Sequence, residues 1–405
     1  MVRSTRPPPA SSPPLALYAH FPWCVRKCPY CDFNSHALQH DHSGGLPETE
    51  YITALLVDLD HELAARGEMF ATRPLRSVFL GGGTPSLFGP AAIARFLAGV
   101  RARLAVVVDL EVTLEANPGT VEHARFTGYR EAGVTRISLG VQSFDDAKLA
   151  MLGRIHGADE ARRAATEVQA AGFATFNLDL MYALPQQDAA GALADVATAL
   201  SLGAPHVSHY ELTLEPNTLF HAKPPAGLPD DESAWALQAS AHAALHMGGL
   251  EQYEVSAWAR SPAHRCCHNL NYWEFGDYVG LGAGAHGKLT DAHGAVWRTE
   301  REKHPARYLE RAGDASVLSL RRVVPAQLPF EFMLNALRLR DGVDRALFTQ
   351  RTGLAWNAIA ETVDGLRRRG LLNDDPQRLC ASALGFRRMN DLLLEFLPDS
   401  TGAIA

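Results

Sequence analysis

The chain has 405 residues, of which 47% are hydrophobic and 20% charged, and its formal net charge at pH 7 is −7. A chain of this length and balance buries a large apolar core without needing disulfide bonds. The negative net charge argues against general affinity for nucleic acids and against a polybasic membrane patch. No run of about 18 apolar residues is present, so the sequence predicts no membrane-spanning helix.

The first 14 residues differ in composition from the rest. They contain five of the 24 prolines and lack the apolar segment of a secretory signal. We therefore predict a disordered, proline-rich leader over residues 1–14 and a cytoplasmic protein.

Short runs rich in β-branched and aromatic residues alternate with helix-like runs over the first 258 residues. The strands are predicted to begin near Leu17, Ser77, Leu110, Arg136, Thr175 and Val207, with a further strand at 253–258. The helices predicted between them cover 50–66, 91–104, 121–132, 159–171 and 189–202. Six strand–helix units in succession predict an α/β fold with a parallel sheet and outer helices. We interpret it as an open or incomplete (β/α)6 barrel and keep a doubly wound sheet as the alternative.

Chemically distinctive residues stand at the carboxyl end of these strands. In chain order they are three cysteines, Gly-Gly-Gly-Thr at 81–84, Glu-Ala-Asn-Pro at 115–118, Gln142 with Ser143, Asp179 and Glu211. Polar residues at strand ends are common as turns and caps, but active sites of parallel α/β folds form at this edge. We therefore expect these residues to form one site.

The alternating pattern of strands and helices ends at about residue 287. Residues 298–324 are charged and irregular, which predicts a connector. Helices are predicted at 330–340, 345–352 and 356–369, followed by a strand–turn–strand within 370–386. This order resembles a winged-helix module, but the interspersed charges favour a packing domain over a DNA-binding one. The predicted organisation is a leader at 1–14, a core at 15–235, an extension at 236–297, and a connector with a mostly helical C-terminal domain at 298–405.

The cysteines after the first strand, Cys24, Cys28 and Cys31, have the spacing C-x₃-C-x₂-C. Three thiolates hold three irons of a cubane cluster and leave the fourth iron open to a substrate or cofactor. Structural zinc normally has four protein ligands. No second C-x₂-C pair is present, so His36 or a distant cysteine would have to complete a zinc site. The pattern favours an iron–sulfur cluster over zinc.

With Tyr30 before its last cysteine, this loop resembles the signature of radical S-adenosylmethionine proteins. The resemblance continues through the glycine run, Glu-Ala-Asn-Pro and Ser-Leu-Gly-Val-Gln-Ser-Phe at 138–144, and covers residues 18 to about 396 in the coproporphyrinogen-oxidase-like branch. It implies a radical-SAM barrel, a [4Fe-4S] cluster and S-adenosylmethionine, whose reductive cleavage gives a 5′-deoxyadenosyl radical. The implied cluster ligands are Cys24, Cys28 and Cys31, and the implied S-adenosylmethionine contacts are Tyr18, Tyr30, Gly82, Gly83, Thr84, Glu115, Gln142, Arg154 and Asp179. Taken singly, Asp179, Arg154, Tyr18 and the glycine run also have structural explanations.

Two functions compete within that branch: oxygen-independent coproporphyrinogen III dehydrogenase and heme chaperone. Phe33 stands where the enzyme pattern has a fourth cysteine, and only 17 residues precede Tyr18 where the enzyme has a longer extension. The sequence H-N-x-x-Y-W at 268–273 resembles a motif of the chaperone branch. The resemblance therefore implies a heme chaperone that serves acceptor proteins, with membrane-associated respiratory proteins among the candidates. Cleavage of S-adenosylmethionine is expected, coproporphyrinogen turnover is not, and a nucleic-acid regulator is the weakest alternative.

His268 is the heme ligand that this resemblance implies, because neutral imidazole suits iron. Tyr272 and Trp273 are suited to stack on a porphyrin face. The structural alternative is a buried histidine whose ring nitrogens are both hydrogen-bonded. Cys266 and Cys267 are rival ligands, because thiolates also hold heme. The sequence leaves a homodimer open.

Overall fold

This computed structural model describes residues 12–38, 45–70, 73–119 and 125–398. Twelve of the strands in this part of the chain form one sheet. In chain order the strands are β1 Leu15–Phe21, β2 Trp23–Cys24, β3 His36–Ala37, β4 Leu75–Gly82, β5 Val106–Ala116, β6 Arg136–Gln142, β7 Thr175–Tyr182, β8 His206–Glu211, β9 Glu251–Gln252, β10 Ala257–Ala259, β11 Asp277–Leu281, β12 His286–Thr290, β13 Val296–Arg301, β14 Leu318–Arg322, β15 Val343–Asp344 and β16 Arg378–Leu379. The order in the large sheet is β14-β13-β12-β11-β1-β4-β5-β6-β7-β8-β10-β9.

The centre of this sheet is the predicted parallel series. The strands β1, β4, β5, β6, β7 and β8 pair in parallel in that order, and the sheet ends at β14 and β9 instead of closing. The prediction of an open (β/α)6 arrangement is therefore confirmed. The sequence of β1, LALYAHF, is nearly continuous in apolar residues because both faces of the strand are covered.

The helices cover the sheet and build the C-terminal region. In chain order they are Glu48–Arg66, Pro90–Arg103, Phe126–Glu131, Asp146–Met151, Ala158–Ala170, Ala189–Ser201, Leu219–Ala222, Asp231–Met247, Cys267–Trp273, Pro305–Glu310, Leu328–Ala336, Arg345–Thr352, Ala360–Arg368, Ala383–Arg387 and Met389–Leu394. Residues 1–11 of the predicted leader and residues 121–124 of the predicted helix at 121–132 lie outside the described residues. No helix in the described part of the chain is long and apolar enough to cross a membrane.

The sheet extends on the far side of β1, which the sequence did not indicate. Strand β11 pairs with β1 in parallel, and β12, β13 and β14 follow as antiparallel neighbours. The irregular connector predicted at 298–324 is wrong in this respect, because β13 and β14 lie within or overlap it. Its charges concealed the strand pattern: Arg301 is buried, with its Nε 2.9 Å from Asp58 and its Nη2 2.5 Å from Glu62.

At the other edge, the strand predicted at 253–258 overlaps β10 only at residues 257 and 258. Strand β10 pairs antiparallel with β8 and so does not continue the parallel series. The C-terminal region is mostly helical, as predicted, and packs its own core around Phe332 and Phe348. Its small antiparallel element joins β15 to β16 and adds a bridge between Leu372 and Ala381. The domain limits proposed from the sequence stay a prediction.

A buried ion cluster holds the start of β11. The carboxylate of Asp277 is fully buried and accepts hydrogen bonds from Arg73 at 2.6 Å, from Lys288 at 2.8 Å and from the backbone and hydroxyl of Thr290 at 2.8 Å each. Burial works to raise the pKa of Asp277, but Lys288 and Arg73 outweigh it and hold the pKa below its usual value. This carboxylate ties the loop before β4 to both strands of the β11–β12 pair.

Replacing Asp277 by Asn should leave two buried cations without a counter-charge. We expect Asp277→Asn to lower the free energy of unfolding by about 3–5 kcal/mol, measured by urea denaturation at pH 7. The exposed Asp109 on β5 provides the matched control, and Asp109→Asn should change the value by less than about 0.5 kcal/mol. Equal stability of the two variants would contradict this role for Asp277.

Candidate functional site

The cysteine loop leaves the carboxyl end of β1 and is closed by the short parallel pair of β2 and β3. Within it, the backbone N–H of Cys31 donates to the carbonyl of Cys28 at 3.2 Å. All three cysteines are unpaired and half-buried. The loop therefore places three unpaired thiols on one cavity at the carboxyl edge of the sheet.

Polar groups surround these thiols. The Sγ of Cys24 lies 3.4 Å from the hydroxyl of Thr84, and the Sγ of Cys28 lies 3.6 Å from Nη1 of Arg154. Burial raises the pKa of Cys24, the Thr84 hydroxyl lowers it, and the other two thiols raise it further. The sulfurs thus lie within electrostatic reach of one another, and a bound cation would relieve the cost of ionising them.

This donor set fits an iron–sulfur cluster through its chemistry: three thiols from one short loop line one cavity. Within the described residues, no three His, Cys, Asp or Glu side chains are gathered closely enough to hold a single ion. A single zinc ion needs such a grouping.

One cavity collects the cysteine loop with the ends of β4, β5, β6 and β7. Of the residues predicted for the site, those that line this cavity are Cys24, Cys28, Tyr30, Cys31, Gly82, Gly83, Thr84, Glu115, Gln142, Arg154 and Asp179. Tyr18 lines the adjoining cavity, whose wall also includes Gly82 and Glu115. His268 lies in neither. The first cavity therefore brings together all the predicted site residues except Tyr18 and His268, and Tyr18 lines the adjoining cavity.

The glycine run is explained by close approach of this chain to itself. Gly82 has φ +109°, and a Cβ on it would lie 2.4 Å from the ring of His20. A Cβ on Gly83 would lie 2.6 Å from the carbonyl oxygen of Trp23. Glycine is required here because β4 ends against the strand and loop that carry the cysteines.

Gln142 is held in an unusual conformation at the end of β6. Its φ is +66°, in the left-handed region that few residues other than glycine adopt, and the β6–β7 register shifts between Leu139 and Gln142. Its side-chain Oε1 is buried and has no hydrogen-bond partner among the described residues, and the same holds for Nε of Arg154. Two unpartnered polar atoms on the residues of one cavity indicate a polar ligand.

Two carboxyl groups, Glu115 and Asp179, share the floor of the cavity. Burial, and then the proximity of Asp179, raise the pKa of Glu115 to about 7, although the N–H of Gly82 donates to it at 3.1 Å. Burial also raises the pKa of Asp179, against hydrogen bonds from Asn177 and Ser138. Together with the Arg154 guanidinium, these carboxyls are matched to a ligand that carries ammonium, hydroxyl and carboxylate groups.

Sequence reasoning missed several lining residues. Asn117 accepts from Nη2 of Arg154 at 2.5 Å and donates to the hydroxyl of Thr84 at 3.0 Å, so it orients both. The Glu-Ala-Asn-Pro motif contains Asn117 but predicts no role for it. On β8 the cavity is lined by Tyr210, whereas Glu211, which we expected at this edge, does not line it. Successive residues of a strand face opposite sides of the sheet, and the prediction chose the residue next to the one that lines the cavity.

His268 is a core residue in this structure. Only 1% of it is exposed, and its Nδ1 and Nε2 lie 3.0 Å from the Ser77 hydroxyl and 2.9 Å from the Tyr272 hydroxyl. Burial lowers its pKa to about 3. The geometry matches the structural alternative raised above, and an axial-ligand role would require both hydrogen bonds to rearrange. His268 as a heme ligand stays a prediction.

The rest of the motif at 268–273 also has structural partners. The backbone N–H groups of Cys267 and His268 donate to Glu111 at 3.0 Å each, which caps the helix Cys267–Trp273. The amide of Asn271 donates to the carbonyl of Asp277 at 2.9 Å. The motif therefore docks its helix on the sheet beside β4 and delivers the chain into β11.

Comparisons with known proteins agree with this architecture. The model of the radical SAM superfamily matches residues 18–195, and that of the HemN C-terminal domain matches residues 324–388. The chain is 47% identical over 393 residues to the "Heme chaperone HemW" of Escherichia coli strain K12, covering 96% of this chain and 99% of that protein. It is 44% identical to the protein of the same name from Haemophilus influenzae, again covering 96% and 99%.

Among solved structures, the chain is similar to the coproporphyrinogen III oxidase HemN from Escherichia coli, described as a radical SAM enzyme. The TM-score is 0.77 at 21% identity, covering 95% of this chain and 90% of that one. At this identity the likeness shows a shared fold.

The raised pKa of Glu115 predicts a pH dependence of stability. The native state favours the protonated carboxyl, so this contribution is complete below about pH 4.5 and is lost as the pH rises through about 7. Glu115→Gln keeps a neutral side chain, and at pH 8 it should be more stable than the parent by up to about 3 kcal/mol. Urea denaturation from pH 4.5 to 8, without S-adenosylmethionine, measures the difference.

The difference between parent and variant should grow with pH across this window. The exposed Glu361 supplies the control, and Glu361→Gln should give a difference that is small and flat. A flat difference for Glu115→Gln as well would show that Glu115 is ionised without cost.

Proposed function

This chain belongs to the family of the HemW heme chaperones within the radical S-adenosylmethionine superfamily, and on that premise we propose that it binds heme and delivers it to acceptor proteins. The observation that carries the proposal is the 47% identity with a heme chaperone along almost the whole of both chains. At 21% identity, the similarity to the oxidase supports a shared fold and does not assign the oxidase reaction to this chain. Coproporphyrinogen dehydrogenation is therefore the second candidate.

Phe33 favours the chaperone over the enzyme. It stands where the dehydrogenase pattern has a fourth cysteine, and 58% of it is exposed. It lines both the cluster cavity and the adjoining one. An apolar ring at that position cannot act as the additional thiol of the enzyme pattern.

The superfamily implies a [4Fe-4S] cluster and S-adenosylmethionine, and we assign the cluster to Cys24, Cys28 and Cys31. When bound, the cluster supplies an electron to S-adenosylmethionine. Arg154 places a positive charge 3.6 Å from the Cys28 sulfur and would offset the negative charge of the thiolates. The hydroxyls of Thr84 and Ser35 lie 3.4 Å and 3.7 Å from the outer two sulfurs and would hydrogen-bond to them.

We assign S-adenosylmethionine to the same cavity together with the adjoining one, because Tyr18, Gly82 and Glu115 line the latter. Glu115 and Asp179 would accept hydrogen bonds from ammonium or ribose hydroxyl groups, and Gln142 brings an acceptor that lacks a partner. The Nε of Arg154, which is buried and has no partner among the described residues, would donate to a carboxylate. Tyr30 closes the side of the cavity next to Cys28, and Tyr18 bounds it from the neighbouring cavity.

We place the protein in the cytoplasm, because all six cysteines lie in the described residues and none is paired, as is usual in a reducing compartment. The acceptor proteins, with membrane-associated respiratory proteins among the candidates, stay predictions of the resemblance, and a homodimer stays open.

Cluster assembly should depend on the loop cysteines alone. After anaerobic reconstitution, Cys24→Ser, Cys28→Ser and Cys31→Ser should each lose the brown absorbance and bound iron and sulfide, because each removes one of three anchoring thiolates. Cys267→Ser and Cys380→Ser should retain both. Loss in the Cys267 variant with an unaffected Cys28 variant would contradict the assignment.

Heme transfer tests the function itself. Protein loaded with hemin should pass it to an apo-hemoprotein acceptor, seen as loss of its own Soret band and gain of the acceptor's spectrum. The same preparation, given reductant and S-adenosylmethionine, should not convert coproporphyrinogen III. Formation of 5′-deoxyadenosine alone does not distinguish the two candidate functions, because both use the same cluster and S-adenosylmethionine site. Multiple turnovers of coproporphyrinogen, with no heme transfer, would establish the enzyme instead.

A further inference from the structure

Gln142, which lines the cluster cavity, lies at the centre of an unusual turn. Its φ is +66°, and the backbone N–H of Ser143 donates to the carbonyl of Val141 at 2.9 Å. This is the pattern of a γ-turn with positive φ, which is rare and strained. A residue other than glycine stays in such a conformation only where the surrounding structure holds it there. The side chains that hold this turn therefore decide where the Gln142 side chain points.

The β6 side of the turn is held by two side chains that follow it in the chain. Nη2 of Arg154 donates to the carbonyl of Gly140 at 2.8 Å. Nε2 of His156 lies 3.2 Å from the carbonyl of Val141 and is the donor, because a carbonyl oxygen only accepts. These two contacts fix the backbone of β6 up to the residue before Gln142.

Asp195 holds the other side of the turn. Its Oδ2 accepts from the hydroxyl of Ser143 at 2.8 Å, and its Oδ1 accepts from the backbone N–H of Phe144 at 2.6 Å. Both donors belong to the two residues that directly follow Gln142. Asp195 itself lines neither the cluster cavity nor the adjoining one. Any effect of this carboxylate on a bound cofactor must therefore pass through the turn.

The place of Asp195 in its helix is otherwise unfavourable, since only 5% of the residue is exposed. The apolar residues that the helix Ala189–Ser201 buries on the same face are Ala192, Val196 and Ala199. A carboxylate among such residues loses its hydration, and only hydrogen-bond donors offset that loss. Burial raises the pKa of Asp195 to about 6, although the Phe144 N–H and the Ser143 hydroxyl lower it. At pH 8 the group is ionised, and both of its oxygens accept.

We propose that Asp195 is a positioning residue for S-adenosylmethionine, because it holds Ser143 and Phe144 so that the Gln142 side chain stays directed into the cluster cavity. The inference rests on the proposed function, in which Gln142 contacts the cofactor. It also gives a role to Ser143 and Phe144, which belong to the motif at 138–144 but do not line the cavity.

The surroundings of the Gln142 amide agree with this role. A Cβ on Gly140 would lie 3.3 Å from Nε2 of Gln142 and 3.2 Å from Oδ1 of Asn117. The amide therefore folds back over a glycine and lies beside Asn117, which orients Arg154. A turn released from Asp195 would let the amide leave this place while the rest of the cavity kept its shape.

The test is a double-mutant cycle on the cluster-loaded protein. Titration with S-adenosylmethionine at pH 8, without reductant, should show roughly tenfold weaker binding for Gln142→Ala and for Asp195→Ala. Because Asp195 acts through Gln142, adding Asp195→Ala to Gln142→Ala should change the dissociation constant by less than about twofold. A general structural role for Asp195 would give its full loss in both backgrounds.

Conservative variants refine the comparison. Asp195→Asn should recover part of the affinity, because its oxygen still accepts from the Phe144 N–H while its amide nitrogen cannot accept from the Ser143 hydroxyl. Ser143→Ala removes the same single contact and should weaken binding by a similar factor, roughly threefold. If Asp195→Ala does not fold, by circular dichroism and cluster content, these two variants in both backgrounds complete the cycle.

Asp291→Ala is the matched control. The Asp291 carboxylate holds the turn between β12 and β13 in a similar way, accepting from the backbone N–H of Ala295 at 2.8 Å and from Nε1 of Trp297 at 3.0 Å. It lines neither cavity. Its loss should leave the affinity for S-adenosylmethionine within about twofold of the parent.

The outcomes separate this inference from the function on which it rests. A cluster-loaded parent that does not bind S-adenosylmethionine would overturn the cofactor assignment, and parental affinity in Gln142→Ala would overturn the Gln142 contact. Either result removes the inference as well. Weakened binding in Gln142→Ala with parental binding in Asp195→Ala would overturn the role of Asp195 alone. Equal losses from Asp195→Ala in both backgrounds would do the same.

Discussion

The parallel pairing of β1 with β11 is the constraint on which the two cavities depend. Six strand–helix units alone would leave β1 as an edge strand with unpaired backbone groups, which sheets generally cover. Here Leu15 to Ala19 pair with residues 277–281, so the strand leading into the cysteine loop is held on both sides. The Asp277 cluster secures the beginning of that pairing in the core. The same pairing brings β12, and with it His286, to the neighbourhood of the cysteine loop.

Two side chains connect the neighbouring cavities. The Nδ2 of Asn34, at the end of the cysteine loop, donates to the carbonyls of Ala283 at 2.9 Å and Lys303 at 2.8 Å. His20 fills the space that the missing side chain of Gly82 leaves, and it bonds to both Tyr18 and the backbone of Asn34. The cysteine loop and the β11–β12 turn are therefore directly hydrogen-bonded to each other.

Local patterns in the sequence predicted the core well. Each of the six parallel strands was placed because its apolar run ends in residues with strong local meaning, such as the glycines after β4 and Glu115 at the end of β5. The cluster cavity followed from one topological rule, because the carboxyl ends of parallel strands meet at one edge of a sheet. These features depend on residues that are close in the chain.

What the sequence did not predict depends on partners distant in the chain. The sequence alone suggests that Arg301 is a surface residue, because its partners Asp58 and Glu62 are distant in the chain. Strand β13 was therefore not predicted. The sequence alone suggests that His268 is a ligand, because it does not show that both ring nitrogens lie within hydrogen-bond distance of Ser77 and Tyr272.

The positions of the bound irons test the account most directly. Anomalous scattering at the iron edge, from crystals of the cluster-loaded protein with hemin, would locate the cluster irons and the heme iron together. The account predicts cluster irons at Cys24, Cys28 and Cys31 and one further iron, that of the heme, outside the cluster site. Cluster irons away from these three cysteines, or no heme iron in crystals grown with hemin, would contradict it.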